Sequence, residues 1–516
     1  MSVSSAEVSA PSRFLPATLS RDFIASIVVF LVAMPLCMGI AVASGVPPER
    51  GLITGIIGGV VAGALAGSPL QVSGPAAGLA VIVFEMVQKH GLSALGPILI
   101  LAGAVQVFAG VLRLGQWFRA ISPAVVHGML AGIGVLIVLG QLHVLIDRTP
   151  LSSGIANLAA IPGAFISLSP MSVGQTEAAF AVGVSTILAI ILWEKFRPRP
   201  LKQLPGALVG VIVGTVLSLV LALDVKRVEV PESIIGALSF PGPAEFARMA
   251  DPTIILLAIA IAFIASAETL LSAAAVDRMH SGVRTKYNKE LLAQGVGNAL
   301  CGFVGGLPMT GVIVRSSANV QAGAATRLST MLHGVWILGF VALLPWLLKM
   351  IPMAALAGVL VITGWKLVSL KHVRHLFHQY GLLPTLVWAG TFVMVVATDL
   401  LMGVLVGMAL SLLELIPHLR KPRLAIRQNG KGDETELELS GSATFVHLPR
   451  LSKALEALPA GSRVRLICNG LAHVDHTCSE MISDWLQRHK VSGGRIEIDP
   501  AGAERHRQFA AAAAPA

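Results

Sequence analysis

Charge is scarce in this chain. Of 516 residues, 13% are Asp, Glu, Lys or Arg, against about 25% in soluble domains, so a water-soluble globular fold is excluded over most of the length. Cysteine is scarce too. Four residues, Cys37, Cys301, Cys468 and Cys478, form no disulfide framework, and two of them fall in apolar runs, where a small thiol packs like a hydrophobe. No cysteine/histidine metal spacing, hydrolase motif or phosphate-binding loop is present. No enzyme, metal centre or cofactor is therefore expected. The first twenty residues are rich in Ser, Ala and Pro and lack the arrangement of a cleavable signal, so the first apolar run serves as the insertion signal.

What is abundant is apolar. Hydrophobic residues make up 54% of the chain, and they cluster in blocks free of Asp, Glu, Lys and Arg: Phe23 to Gly45, Gly51 to Phe84, Gly91 to Leu112, Ala178 to Trp193, Leu291 to Val314 and Leu328 to Leu348. Runs of this length read as membrane spans. Without water to bond, their backbone must be helical, or broken only where protein or a cavity covers the break. Fourteen spans are expected, near 23–45, 51–67, 72–88, 93–112, 122–144, 177–194, 204–223, 253–276, 290–305, 310–322, 328–348, 352–368, 380–398 and 400–416.

The net charge of +10 invites a nucleic-acid partner, but its distribution argues for topology. With both termini inside, the cytosolic connections hold Arg113/Arg119, Lys195/Arg197/Arg199/Lys202, Arg278/Arg284/Lys286/Lys289, Lys366/Lys371/Arg374 and Arg420/Lys421/Arg423. The outer connections hold fewer basic residues, and the longer ones, 147–176 and 224–252, are poor in net positive charge. This is the positive-inside pattern, and it sets a multi-pass protein of the cell (inner) membrane with cytoplasmic termini and no nucleic-acid partner.

Two stretches are too irregular for ordinary spans: 68–84 and 305–324. Each opens on a Gly/Pro break, Gly74-Pro75 in one and Pro308-Met309-Thr310-Gly311 in the other, and each reads as a helix start, because Pro fits a first helical turn. They fall at matching distances from the first and eighth spans. A pair of interrupted segments at corresponding positions points to a transporter site between inverted repeats. Half-helices that begin near mid-bilayer direct free N–H groups and positive dipole ends at a cavity, and two facing ends bind an anion. Packing kinks are the competing reading of the same breaks.

Glu268 lies in the apolar run AIAIAFIASAETLLSAAAV. A carboxylate within a span costs several kcal/mol unless it faces a cavity or a partner, and such residues tend to be functional. Ser272 follows at i+4 on the same helix face. Sodium needs several oxygen ligands, whereas a lone, partly desolvated carboxylate suits a proton, since burial disfavours the charged form. A structural hydrogen-bond acceptor between helices is the alternative. Beyond Arg423 the composition shifts to short strand-like segments (434–440, 463–470, 495–499) around a helix-like 476–490, a small α/β domain. The expected division is a disordered tail over 1–20, a membrane domain over 21–418, a linker over 419–432, the small domain over 433–500 and a second disordered tail over 501–516.

Five blocks in order, LVAMPLCMGIAVASGVPP (31–48), LQVSGPAAG (70–78), AETLLSAAAVDRM (267–279), NKELLAQGVGNALCGFVGGLPMTGVIVRSSANVQAGA (288–324) and IPMAALAGVLV (351–361), give the chain a resemblance to the SulP family of anion permeases. The tail resembles the STAS domain that usually follows. The resemblance implies an all-α polytopic fold of two inverted seven-span repeats, divided into core and gate domains, with short third and tenth spans and a small cytosolic α/β STAS-like domain. It implies an anion held between the two helix starts, by Ser73, Gly74, Pro75 and Ala76 on one side and Gly311, Val312, Ile313 and Val314, followed by Arg315, on the other. Leu36 and Ile40 of the first span would line the pocket. Many relatives carry glutamine at Leu36 and an aromatic at Ile40 and Ala76, so this pocket is more apolar. Glu268 matches an acidic position of the eighth span.

Arg315 has three readings: attraction of the anion, pairing with a carboxylate, or snorkelling to the inner face. Asp277, Arg278 and Asp399 read as boundary or gating charges, and His127, His143 and His333 carry no assigned role. His476 stands where relatives of the tail have a phosphorylatable serine. The family implies a homodimer, and the tail reads as regulatory or as a folding module. The expected function is secondary transport of a small inorganic anion, sulfate or bicarbonate, by alternating access, coupled to H⁺ through Glu268. The alternatives left open are coupling to Na⁺, a carboxylate or nucleobase permease of the same architecture, an uncoupled anion channel, and a membrane sensor with the tail as output.

Overall fold

The computed structural model describes residues 16–505 and Phe509, except 116–121, 152, 167–173, 199–200, 202–203, 230–235, 281, 370–372, 375–376, 379–380, 416–423, 432–433 and 460. The first half runs α1 (Pro16–Ala43), α2 (Pro48–Ile57), β1 (Ser73–Pro75), α3 (Ala80–His90), α4 (Leu95–Val111), α5 (Pro123–Val144), α6 (Gly154–Ile166), α7 (Gln175–Phe196) and α8 (Gly206–Val220). The second runs α9 (Pro252–Met279), α10 (Tyr287–Val304), β2 (Met309–Gly311), α11 (Ile313–Gln321), α12 (Leu328–Leu343), α13 (Met353–Leu367), α14 (Leu382–Ala397) and α15 (Leu400–Leu415). Among the described residues, five helical segments, Thr18–Ala43, Leu92–Val111, Pro123–Val144, Gln175–Phe196 and Pro252–Asp277, are long and apolar enough to cross a membrane alone.

Helices α4 and α10 pack backbone to backbone. A Cβ on Gly103 would stand 2.5 Å from Ala299 N and Gly295 O, and one on Gly302 would stand 2.6 Å from Gly96 O. Small residues that allow such approach are how helices associate where lipid removes the hydrophobic drive. The main apolar cluster joins Ile40 of α1, Leu79 and Val83 around the start of α3, Ile98 of α4, Ile133 of α5 and Ile261 of α9. β1 and β2 lie within this assembly.

Four expectations are corrected. The stretch 147–176, expected as an outer loop, contains α6. The turn before it is closed by Asn157, whose side chain accepts from Leu151 N at 2.9 Å and donates to Leu151 O at 2.8 Å. Ser-Ser-Gly and Pro162 disguise this short helix in the sequence. The linker expected over 419–432 contains β3 (Ala425–Lys431), which pairs antiparallel with β4 (Glu434–Ala443). The tail expected to be disordered over 501–516 begins with α18 (Pro500–Arg505), and Phe509 is buried in the core of the small domain. Of the first tail, 16–20 belong to α1 and 1–15 lie outside the described residues.

The small domain continues with α16 (Leu448–Glu456), β5 (Arg463–Val474), α17 (His476–Val491) and β6 (Arg495–Ile498). Its sheet order is β3-β4-β5-β6, with β4/β5 and β5/β6 parallel, because α16 and α17 each supply the crossover that parallel strands need. Asp475 caps α17, accepting from Cys478 N at 2.8 Å. The side chain of His476 lies outside the described residues. A cavity of about 70 Å³, lined by Leu271, Ala274, Tyr287, Thr477 and Met481, lies where α17 meets the ends of α9 and α10.

All four cysteines are free and buried. In the small domain, burial pushes the Cys468 thiol up to about 12, with the nearby Asp499 carboxylate adding to the effect. Burial, then Asp475, raises Cys478 well above its usual value. Since the thiolate is the nucleophile, both should resist maleimide at pH 8 in the folded protein and react in urea, as read by mass spectrometry. Stoichiometric labelling of either without denaturant would contradict this packing.

Candidate functional site

The two sequence breaks meet. β1 and β2 pair antiparallel with Ser73 opposite Gly311, Gly74 opposite Thr310 and Pro75 opposite Met309. The pairing extends at both ends, where Val312 N donates to Val72 O at 2.9 Å and Ala76 N donates to Pro308 O at 3.3 Å. Antiparallel contact between corresponding segments is the sense that inverted repeats require. It also satisfies backbone groups that lipid would leave unpaired at several kcal/mol each.

The helix starts therefore lie further along than the sequence breaks suggest. The segments read as spans 72–88 and 310–322 each open on a strand, because Gly74-Pro75 and Met309-Thr310-Gly311 are taken up in the ladder. A short 3-10 turn, Ala77–Leu79, leads into α3, and α11 starts at Ile313 with Val312 as its uncapped N-cap. Gly311 N–H is already bound to Thr269 Oγ1 at 3.1 Å. The amides left at the second start are those of the first turn of α11, at Ile313, Val314 and Arg315. Ile313 and Val314 are 38% and 49% exposed, while Val312 and Ala77 keep part of their surface. Ser73, Gly74, Pro75, Ala76 and Gly311 are buried, as are Leu36 and Ile40. Beside the first turn of α3, a cavity of about 40 Å³ is lined by Ala80, Val81, Phe84, Leu136, Ile137 and Gln141.

Glu268 projects from α9 onto the start of the first half-helix. A Cβ on Gly78 would stand 2.7 and 2.9 Å from its two carboxylate oxygens. The Gly78 amide and the Thr310 hydroxyl both face the carboxylate, although Glu268 Oε2 and Thr310 Oγ1 make no hydrogen bond of good geometry. Ser272, expected as its companion, is buried, and among the described residues no hydrogen bond joins the two side chains. Glu268 thus holds the place an anion would take at a helix N-terminus.

Arg315 is turned inward, not snorkelling. It is wholly buried, and its three guanidinium nitrogens have no hydrogen-bond partner of good geometry. Nη1 lies where a Cβ of Gly74 would be, and the group borders the Cys37 thiol. No carboxylate among the described residues pairs with it. A buried cation without a counter-charge costs several kcal/mol, which sets a strong positive potential behind β1.

Residues that the sequence reading passed over hold the strands in place. Asn298 of α10 accepts from Met309 N at 2.8 Å and donates to Met309 O at 3.1 Å, as a neighbouring strand would. It also donates to Gln106 Oε1 at 2.8 Å, and Gln106 donates to Ser266 Oγ at 3.1 Å. One turn back on α10, Gln294 donates to Ser73 Oγ at 2.6 Å and to Glu290 Oε1 at 2.9 Å. The other oxygen of Glu290 accepts from Gly67 N and Ser68 N at 2.8 and 2.9 Å. The signal was present: Glu290, Gln294 and Asn298 recur at i, i+4 and i+8 along one face of α10.

Asp277 pins the loop after α9, accepting from Thr285 Oγ1 at 2.8 Å. Asp399 caps α15 through Met402 N at 2.8 Å. The side chain of Arg278 lies outside the described residues. Among the described residues no group of three His, Cys, Asp or Glu side chains forms a metal site.

The chain matches the Sulfate permease family across residues 19–391. Among curated relatives, it is 28% identical over 496 residues to the "Putative sulfate transporter YvdB" of Bacillus subtilis (strain 168), covering 93% of this chain and 91% of that one. It is 27% identical over 403 residues to the "Bicarbonate transporter BicA" of Picosynechococcus sp., covering 75% and 68%. Among solved structures, the transmembrane domain of a cyanobacterium bicarbonate transporter BicA aligns with TM-score 0.66 and 24% identity over 75% of this chain and 97% of that one. The overall structure of SLC26A9 aligns with TM-score 0.68 and 14% identity over 97% and 88%. These likenesses establish the helical membrane-transporter fold.

Gly311 provides a direct test of the geometry. A Cβ there would fall 1.3 Å from Gln71 Nε2, an overpacking that costs about 1–3 kcal/mol. Gly311→Ala should weaken anion binding by about 5- to 150-fold in folded, monodisperse protein. Adding Gln71→Ala should recover part of the loss. Unchanged binding in the single variant would place the anion elsewhere.

Proposed function

Because the chain belongs to the sulfate permease family, a family of transporters and not of enzymes, we propose that it is a secondary active transporter of a small inorganic anion, sulfate or bicarbonate, that works by alternating access and is coupled to protons through Glu268. The relatives' names supply the anion class. The observation that carries the coupling is the Glu268 carboxylate lying against Gly78 at the start of the first half-helix.

An ionised Glu268 and a transported anion compete for the same dipole end. Their mutual repulsion in a site of low dielectric is large. A proton on Glu268 removes the repulsion and returns the Gly78 amide and its neighbours to the solute. Anion and proton then favour each other's binding, which is the condition for symport. The anion would sit between Ala77 and Gly78 on one side and Ile313 and Val314 on the other, in the potential of Arg315. The strands and α10 would move as part of the core against the gate. A sodium ion fits less well, since the Gly78 N–H beside the carboxylate is a donor and repels a cation. The same reading puts the protein in the inner membrane as a homodimer, with both termini and the small domain in the cytoplasm.

Proteoliposomes with the membrane potential clamped test this. A pH gradient of one unit, about 1.4 kcal/mol, should drive about tenfold accumulation of labelled sulfate at one proton per anion, with competition by bicarbonate and dicarboxylates defining the substrate. Glu268→Gln should abolish accumulation and keep sulfate/sulfate exchange. Accumulation that survives in this variant would remove Glu268 from the coupling.

A further inference from the structure

Thr269 occupies the position after Glu268 on α9 and is wholly buried. Both of its oxygens reach the half-helix assembly. Its Oγ1 accepts from Gly311 N at 3.1 Å, and its carbonyl accepts from Gln71 Nε2 at 3.1 Å. Gln71 closes the third side, because its amide nitrogen fills the space a Gly311 side chain would need. Gln71 leads into β1, and Gly311 ends β2 two residues before α11 begins. One residue of α9 therefore grips the entry of one strand and the exit of the other, immediately beside the carboxylate that meets Gly78 and Thr310.

We infer that Thr269 is the positioning residue that transmits the state of Glu268 to the second half-helix, so that ion and anion binding are linked through the hydrogen bond between Thr269 and Gly311. The inference rests on the proton-coupled reading above. Its physical content is specific. The hydroxyl fixes the distance between α9 and β2, and any shift of α9 as Glu268 gains or loses charge is passed to Gly311 and on to the amides of Ile313 and Val314. Without the hydroxyl, the Gly311 N–H is freed and α9 slides against β2 without moving it.

The charged and titratable surroundings leave Glu268 as the group whose charge is read. Among the described residues no charged side chain contacts it. Glu85 of α3 pairs with Lys89 at 3.8 Å. Arg315 of α11 lies against Gly74 and Cys37, and Glu290 of α10 is held by Gly67, Ser68 and Gln294. Asp277 of α9 itself is bound to Thr285 and Tyr287. Helix α4 and strand β2 carry no titratable side chain.

The test measures sulfate affinity of the purified full chain by equilibrium binding at pH 8 and pH 6. Wild type should bind on the order of tenfold tighter at the lower pH, within the usual range of coupling between sites. Thr269→Val, which keeps shape and removes the acceptor, should bind with similar affinity at both pH values. Thr269→Ser should restore the dependence. A merely structural role predicts a different result, equal weakening at both pH values with the tenfold ratio kept, and that outcome overturns the inference. If wild type itself shows no pH dependence and Glu268→Gln matches it, the proton-coupled reading fails instead.

Discussion

The pairing of β1 with β2 is the constraint on which the rest of the structure depends. Each strand is three residues long and too short to be stable by itself. Each is also enclosed by apolar helices, where an unpaired peptide group has no water to turn to. Only the other strand, and side chains that imitate one, can satisfy them. The crossing consequently fixes where α3 and α11 begin, which amides remain free, and which residues must be glycine. The first-turn amides of α11 are available because those of Gly311 and Val312 are not.

That constraint explains the polar content of α10. Asn298 presents its amide to both backbone groups of Met309, in effect a third strand made from one side chain. Gln294 and Glu290 do comparable service for Ser73 and for the turn before β1. Each of these hydrogen bonds contributes only about 1 kcal/mol net, but leaving one of the buried groups unmade costs about 1–3 kcal/mol. The network is therefore better understood as preventing alternative registers than as adding stability. The glycine contacts between α4 and α10 serve the same purpose by bringing Gln106 within reach of Asn298.

Much of this was legible in the residues. Charge-free blocks located the helices, matched Gly/Pro breaks located the half-helices, and a single acid in an apolar run located Glu268. In the tail, β4, β5, α17 and β6 were legible from short alternating segments, whereas β3, α16 and α18 were not. What could not be read was pairing at long range. Pro75 and Met309 look like helix initiators until each is placed opposite the other. Gly78 and Thr310 acquire meaning only when Glu268 is seen between them. Ser272 shares a helix face with Glu268 by period, yet the contacts of the carboxylate come from other elements. Helix α6 hid because Pro162 and its serine-rich approach imitate a loop, and Phe509 hid within an alanine-rich end of low complexity.

Chain order adds a constraint on biogenesis. The partner of β1 is translated roughly 230 residues after it, about 10–50 s later at about 5–20 residues per second. Throughout that interval the segment around Ser73 and Pro75 has no strand to bind, and lipid offers no substitute. The amino-terminal half cannot settle into the bilayer as a finished unit. It must wait in a hydrated or chaperoned niche until the second half arrives, so insertion of the last-made elements completes the first-made ones.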